Sequence, residues 1–70
     1  MLTKEDRKKA VNYTIEKSLD GNMYYLLLSR NCINTFVTSD KSLADFYIKH
    51  YGHSLYAKCK DGHLYYNPTF

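Results

Sequence analysis

A chain of seventy residues with a formal net charge of +3 is long enough for one small domain (residues 1–70) and leaves no room for a second core. No run approaches the ~20 apolar residues of a membrane-spanning helix. Two cysteines without an apolar signal segment indicate a reducing, cytoplasmic setting with free thiols. Because so short a chain is marginally stable alone, a homodimer or a tight partner is a natural source of further stability.

The first nineteen residues are compatible with either a helix or a strand. Residues 1–9 are polar, and Thr3 followed by Asp6 resembles a capping box, so we expect a short helical turn or a loose arm there. Val11 and Ile15 lie four residues apart and allow a helix over residues 3–19. The alternation of Val11, Tyr13 and Ile15 with polar residues instead predicts a strand over residues 11–17.

A repeated turn dipeptide favours the strand. Asp-Gly occurs at residues 20–21 and again at 61–62, each time just before an apolar and tyrosine-rich segment. This pattern is typical of a β-hairpin, which requires a strand before each turn. Further strands are predicted over residues 23–29, 33–38, 54–59 and 63–67, and Pro68 is expected to end the last of them. The unbroken apolar run of residues 23–29 predicts a central strand that is covered on both faces.

Residues 39–52 have the strongest helical pattern in the chain. Ser39 is placed to accept a first-turn amide, Asp40 adds negative charge near the N-terminus, and Gly52 suits the left-handed residue after a helix. The polar side carries lysine and aspartate at i,i+4 spacing. We expect Leu43 near the middle of the buried face. That broad apolar face comprises Leu43, Ala44, Phe46, Tyr47, Ile48, His50 and Tyr51.

These elements predict an α+β fold of order β-β-β-α-β-β, in which one amphipathic helix packs on a face of a small antiparallel sheet. If the first segment is helical, the order becomes α-β-β-α-β-β.

Few residue patterns point to catalysis. The three glycines are isolated, and no nucleophile elbow or paired carboxylate set is present, so we expect neither an enzyme nor a cofactor. Zinc requires about four ligands of the histidine and cysteine type. The one set of this composition has spacing that matches no zinc-finger pattern, so we expect no bound metal. That set is His50, His53, Cys59 and His63.

A group of tyrosines and cations is the candidate binding surface. If the last two strands pair around Gly62, one face carries Tyr56, Lys58, His63 and Tyr65. Such a face can bind a protein through tyrosine anchors or stack the bases of a single strand. The candidate residues are Tyr24, Arg30, Tyr56, Lys58, Lys60, His63 and Tyr65.

By elimination, the sequence favours a stand-alone inhibitor or modulator that occludes a site on a larger host protein. Phages and mobile elements encode many proteins of this size, including anti-CRISPR proteins, and we expect that class. One alternative is a single-stranded nucleic-acid-binding domain, although the low charge predicts binding no tighter than about tens of micromolar at physiological salt. Another alternative is a zinc-stabilised module.

Overall fold

The computed structural model describes residues 2–67, which form two helices and four strands. A short 3₁₀ turn, Ser18–Asp20, follows the first helix. The helices are α1 (Lys4–Lys17) and α2 (Lys41–Tyr51), and the strands are β1 (Tyr24–Leu28), β2 (Thr35–Thr38), β3 (Ser54–Lys60) and β4 (His63–Tyr66).

β1 lies inside the sheet, whose spatial order is β2-β1-β3-β4. Every neighbouring pair of strands is antiparallel, which confirms the predicted α+β class with an antiparallel sheet. Consecutive residues of a strand point to opposite faces, and Leu26 and Leu27 are only 1% and 0% exposed. Both faces of β1 are therefore covered, as its unbroken apolar sequence predicts.

Residues 11–17 belong to α1, so the strand predicted there is wrong and the alternative order α-β-β-α-β-β is the observed one. The capping box at Thr3 is present. The Thr3 hydroxyl accepts the Asp6 N–H at 3.1 Å, and the Asp6 carboxylate accepts the Thr3 N–H at 3.2 Å. Because the first N–H groups of a helix lack intrahelical partners, this cap lets α1 begin at Lys4, within the segment expected to be a short helical turn or a loose arm.

α1 packs on one face of the sheet. Val11 is buried against Leu26 and Ala57. Thr14 is fully buried one turn further on, where its hydroxyl donates to the Ala10 carbonyl at 2.7 Å. A buried hydroxyl is tolerated when it is hydrogen-bonded, so Thr14 can occupy the helix–sheet interface beside the apolar residues.

α2 packs on the opposite face. The Phe36 ring lies 4.4 Å from the Tyr47 ring, centroid to centroid. Phe36 precedes Val37, which packs against the cluster under α1, so Phe36 points to the other face. The sheet is therefore covered by a helix on each side, whereas the favoured order β-β-β-α-β-β had only one helix. Within residues 2–67, neither helix combines the length and the apolarity needed to cross a membrane.

The ends of α2 differ slightly from the prediction. Asp40, and not Ser39, is the N-cap, and its carboxylate accepts the Leu43 N–H at 3.2 Å. Lys41 pairs with Asp45 at 3.0 Å, as the i,i+4 spacing indicates.

The face that α2 buries is narrower than the apolar face of its sequence. Ala44 is 2% exposed, whereas Leu43 is 38% exposed, so the placement of Leu43 at the centre of the buried face is wrong. The apolar side chains cover an arc of about 200° around the helix. The sheet lies under the part of the arc that carries Ala44 and Tyr47, and the flanks of the arc remain in solvent.

The β3–β4 hairpin turns at Asp61 and Gly62, both of which have positive φ (52° and 81°). This is the backbone of a type I′ turn, and it confirms the hairpin predicted from the dipeptide. The chain beyond the hairpin continues the sheet contacts, because the Asn67 N–H donates to the Tyr56 carbonyl at 3.1 Å. The predicted stop at Pro68 falls outside the described residues.

Candidate functional site

Part of the predicted tyrosine and cation surface forms on the β3–β4 hairpin. Lys58 pairs with Tyr65 across the strands and Lys60 pairs with His63, so these four side chains share one face. α2 lies over β1 and β2 on this side, and all four residues are exposed. Tyr25 pairs with Lys58 from β1 and extends the same row, although the sequence did not single it out.

Tyr56 does not join this row. The pairing between β1 and β3 shifts register, since Leu26 pairs with Ala57 and Leu27 pairs with Leu55. Tyr56 is the extra residue of this bulge. Bulges redirect side chains, and Tyr56 packs on the α1 side beside Ala57. The predicted shared face of Tyr56, Lys58 and Tyr65 is therefore wrong for Tyr56.

Arg30 lies away from the hairpin row. It follows β1, whose last residue, Leu28, pairs with Ser54 at the start of β3. The hairpin turn is at the other end of β3. The Arg30 side chain instead runs along Gly52, where a Cβ added to the glycine would lie 3.3 Å from the Arg30 Cδ. Arg30 is thus beside the C-terminus of α2.

Tyr24 is committed to a local contact on the α1 side. It pairs with Cys59, and its hydroxyl donates to the Asp20 carboxylate at 2.5 Å. This hydrogen bond is the main cause that lowers the pKa of Asp20 and raises the pKa of Tyr24. Tyr24 therefore anchors the segment after α1 and does not belong to the hairpin row.

This contact gives a direct titration test. We expect the pKa of the Tyr24 phenol to lie above the ordinary tyrosine value of about 10, because the Asp20 carboxylate accepts a hydrogen bond from the neutral hydroxyl and repels the phenolate. Asp20→Asn should bring the Tyr24 pKa down, whereas Asp45→Asn, the same change on α2, should not move it. The measurement is an alkaline titration followed by NMR of the tyrosine ring carbons. An ordinary pKa for Tyr24 in the unmodified protein would contradict the contact.

The four residues considered as zinc ligands are dispersed. Cys59 is a buried free thiol 3.2 Å from the Ser18 hydroxyl, and Cys32 is an exposed one. His50 stacks on Phe46 with 4.5 Å between ring centroids. His63 is exposed at the hairpin. His53 lies beside Tyr47, and its buried Nδ1 has no hydrogen-bond partner among the residues that the structure describes. Among residues 2–67, no group of three or more histidine, cysteine or acidic side chains is close enough to hold a metal ion.

Among residues 2–67, the largest concentration of exposed apolar side chains is on α2, a surface that the sequence analysis did not single out. Phe46 contacts Tyr51 at 5.6 Å between ring centroids and His50 at 4.5 Å, so these rings form a connected aromatic surface along the helix. The exposed members on α2 are Leu43 (38%), Phe46 (45%), Ile48 (37%) and Tyr51 (55%).

Comparison with protein-family models, with curated proteins and with solved structures finds no match.

The geometry of α2 is suited to a protein interface. Leu43, Phe46 and His50 lie at i, i+3 and i+7, which places them along one flank of the helix. Amphipathic helices that dock into apolar grooves use anchors at this spacing. Tyr47, at i+4, is turned inward onto Phe36 and holds the helix to the sheet. The sequence feature that could have indicated an exposed flank is the breadth of the apolar arc, because a flat sheet covers only part of such an arc.

Proposed function

We propose that this chain is a small protein-binding inhibitor or modulator that covers a site on a larger protein, and that α2 is the element it docks. The observation that carries the proposal is the exposed flank of α2, where Leu43, Phe46 and His50 form one stripe. Soluble monomers rarely gather large apolar side chains on one surface unless that surface binds something. That the chain is a phage or mobile-element anti-defence protein, such as an anti-CRISPR protein, stays a prediction.

Phe46 gives the stripe an aromatic residue that contacts further rings on α2. Aromatic residues dominate binding energy at protein interfaces because they bury a large area with few rotatable bonds. Phe46 is at the centre of the stripe and contacts the rings of Tyr47, His50 and Tyr51. We therefore expect Phe46 to be the principal anchor.

The helix is also preformed. Ala44 is buried against the sheet, and Asp40 caps the first turn. Rigid presentation of an anchor reduces the entropy that is lost on association. When a partner with an apolar groove binds, α2 already has the conformation that it keeps in the complex. The exposed side chains of the helix can therefore contribute to affinity without a folding step in this chain.

The test compares two exposed aromatic residues on different surfaces. Tagged chain is used to capture proteins from an extract of its natural host cell, with unmodified protein, Phe46→Ala and Tyr65→Ala as parallel baits. Tyr65 is 61% exposed on the hairpin, so it is a matched control for an exposed ring. We expect a partner that is retained by the unmodified bait and by Tyr65→Ala and is lost by Phe46→Ala, since removal of a central aromatic anchor costs about 2 kcal/mol or more.

Other outcomes have defined meanings. A partner lost with Tyr65→Ala and retained by Phe46→Ala would move the docking site to the hairpin row. The mass of the free protein in solution is measured by light scattering in the same series. A homodimer that Phe46→Ala dissociates would show that α2 binds a second copy of the chain, and this would overturn the larger-partner proposal.

A further inference from the structure

A groove of about 400 Å³ lies between α1 and the β3–β4 hairpin, on the side of the sheet opposite α2. Its walls combine cations from α1 with tyrosines from β3 and β4. Among residues 2–67, no carboxylate lines it. The lining residues are Lys4, Arg7, Lys8, Val11, Tyr56 and Tyr66.

The cations form a stripe on α1. Lys4, Arg7 and Lys8 are spaced i, i+3 and i+4, so they project from one side of the helix. Like charges at this spacing destabilise a helix, and cations near a helix N-terminus oppose its dipole. Within residues 2–67, the only ion pair joins Lys41 to Asp45, so no carboxylate of this part of the chain forms an ion pair with the stripe. An anionic ligand in the groove would do so.

The tyrosines form the facing wall. The rings of Tyr56 and Tyr66 meet edge to face, with 5.5 Å between centroids. Tyr66 pairs with Ala57, which packs against Val11 of α1, so Tyr66 lies on the α1 side of the sheet. Its side chain remains 57% exposed. The β3 bulge is what brings Tyr56 to this side. The exposed Tyr66 ring offers a surface on which a planar group can stack, and the neighbouring row of cations supplies positive charge.

We propose that this groove binds single-stranded nucleic acid, with Lys4, Arg7 and Lys8 at the phosphates and the Tyr66 ring against a base. Single-strand binders combine a cationic groove with exposed aromatic rings in this way. The tyrosines are the reason to favour nucleic acid over an acidic polypeptide, because carboxylates use the cations and make no use of a stacking ring. Contacts to phosphates carry no sequence information, so the groove should accept strands of different sequence.

This site is independent of the docking helix. α2 covers the other face of the sheet, so a strand in the groove and a protein on α2 would not compete for the same surface.

The first experiment removes charge. A fluorescein-labelled twelve-nucleotide oligothymidine is titrated with the protein, and binding is followed by anisotropy from about 50 to 200 mM salt. Three phosphate contacts predict a slope of log affinity against log salt of about −2 for a single strand. The double variant Lys4→Gln/Lys8→Gln should weaken binding at least tenfold at low salt and reduce the slope by about 1.4. The control Lys41→Gln/Lys49→Gln makes the same change in net charge on α2, away from the groove, and should shift affinity less than threefold.

The second experiment compares two neighbouring tyrosines. Tyr65 and Tyr66 are adjacent and similarly exposed, but they point to opposite faces. Tyr66→Ala should weaken binding to the oligothymidine about tenfold through loss of one stacked base, and Tyr65→Ala should leave it within twofold. Circular dichroism of both variants checks that the fold is retained.

Three results would overturn the proposal. The first is equal loss of binding in the two charge variants, which would show diffuse attraction by net charge. The second is a loss with Tyr65→Ala alone, which would place the strand on the hairpin row. The third is binding of poly-glutamate as tight as that of the oligothymidine, with no effect of Tyr66→Ala, which would identify an acidic polypeptide as the ligand class.

Discussion

Leu26→Ala is expected to remove about 2–5 kcal/mol from the free energy of unfolding. Leu26 is 1% exposed and lies at the centre of the cluster that joins α1 to the sheet, against Val11 and Ala57. Its removal takes away buried apolar contacts and leaves a cavity, because the paired strands on both sides cannot close around it. A domain of this length has a total stability of roughly 4–10 kcal/mol. The variant should therefore unfold at a much lower urea concentration.

The control for this prediction is Leu43→Ala, the same chemical change at a residue that is 38% exposed on α2. We expect it to cost less than about 1.5 kcal/mol, since much of the side chain already contacts water. Urea unfolding followed by circular dichroism gives both values. Equal losses in the two variants would mean that the core is not centred on Leu26.

Ser18→Ala is expected to cost about 1–3 kcal/mol, which is unusual for the loss of one oxygen atom. The Ser18 hydroxyl is fully buried, donates to the Ile15 carbonyl at 2.7 Å and accepts the Gly62 N–H at 2.9 Å. The Ser18 carbonyl also accepts the Asp61 N–H at 3.0 Å. These bonds attach the end of α1 to the β3–β4 turn, and alanine would leave the Gly62 donor without this acceptor.

Hydrogen exchange gives a readout specific to this contact. In Ser18→Ala the Gly62 amide should exchange faster relative to the amides of β1, whereas general destabilisation would accelerate the protected amides together. Ser42→Ala on the exposed side of α2 is the control, and we expect it to change stability by less than about 0.5 kcal/mol. An unchanged Gly62 exchange rate would contradict the assigned hydrogen bond.

The elements with local signals were predictable from the sequence. The capping box at Thr3, the hairpin turn at Asp61 and Gly62, and the central position of β1 each depend on neighbouring residues or on one apolar run. α2 was also predicted to within a residue or two, with Asp40 as the cap in place of Ser39. These features follow from hydrogen-bonding capacity and backbone preference, which act over a few residues.

The first helix was not predictable in the same way, because one dipeptide can serve two structures. Asp20-Gly21 and Asp61-Gly62 look alike, but Gly21 (φ 93°) ends the 3₁₀ turn after α1, whereas Gly62 (φ 81°) forms a hairpin. Both uses require the positive φ that glycine adopts easily. The alternation around Tyr13 was coincidental, since Tyr13 is 51% exposed on the outside of α1.

The candidate surfaces depended on tertiary structure. A single register shift in β3 moves Tyr56 from the hairpin row to the groove under α1. The cations of residues 4–8 were expected in a turn or arm. They project from one side only because the segment is helical. The exposed apolar flank of α2 exists because the sheet covers Ala44 and leaves Phe46 in solvent. No local pattern specifies how much of a helix a sheet will cover.

The most direct test of α2 as a protein-docking helix is the dissociation constant of the captured partner, measured for the unmodified chain and for Phe46→Ala at about 50 and 200 mM salt. An interface held by buried aromatic anchors should depend little on salt. We expect Phe46→Ala to weaken binding more than tenfold at both salt concentrations, and we expect the unmodified complex to change less than threefold between them. A dissociation constant that Phe46→Ala leaves unchanged, or a complex that dissociates as salt is raised, would contradict docking through α2.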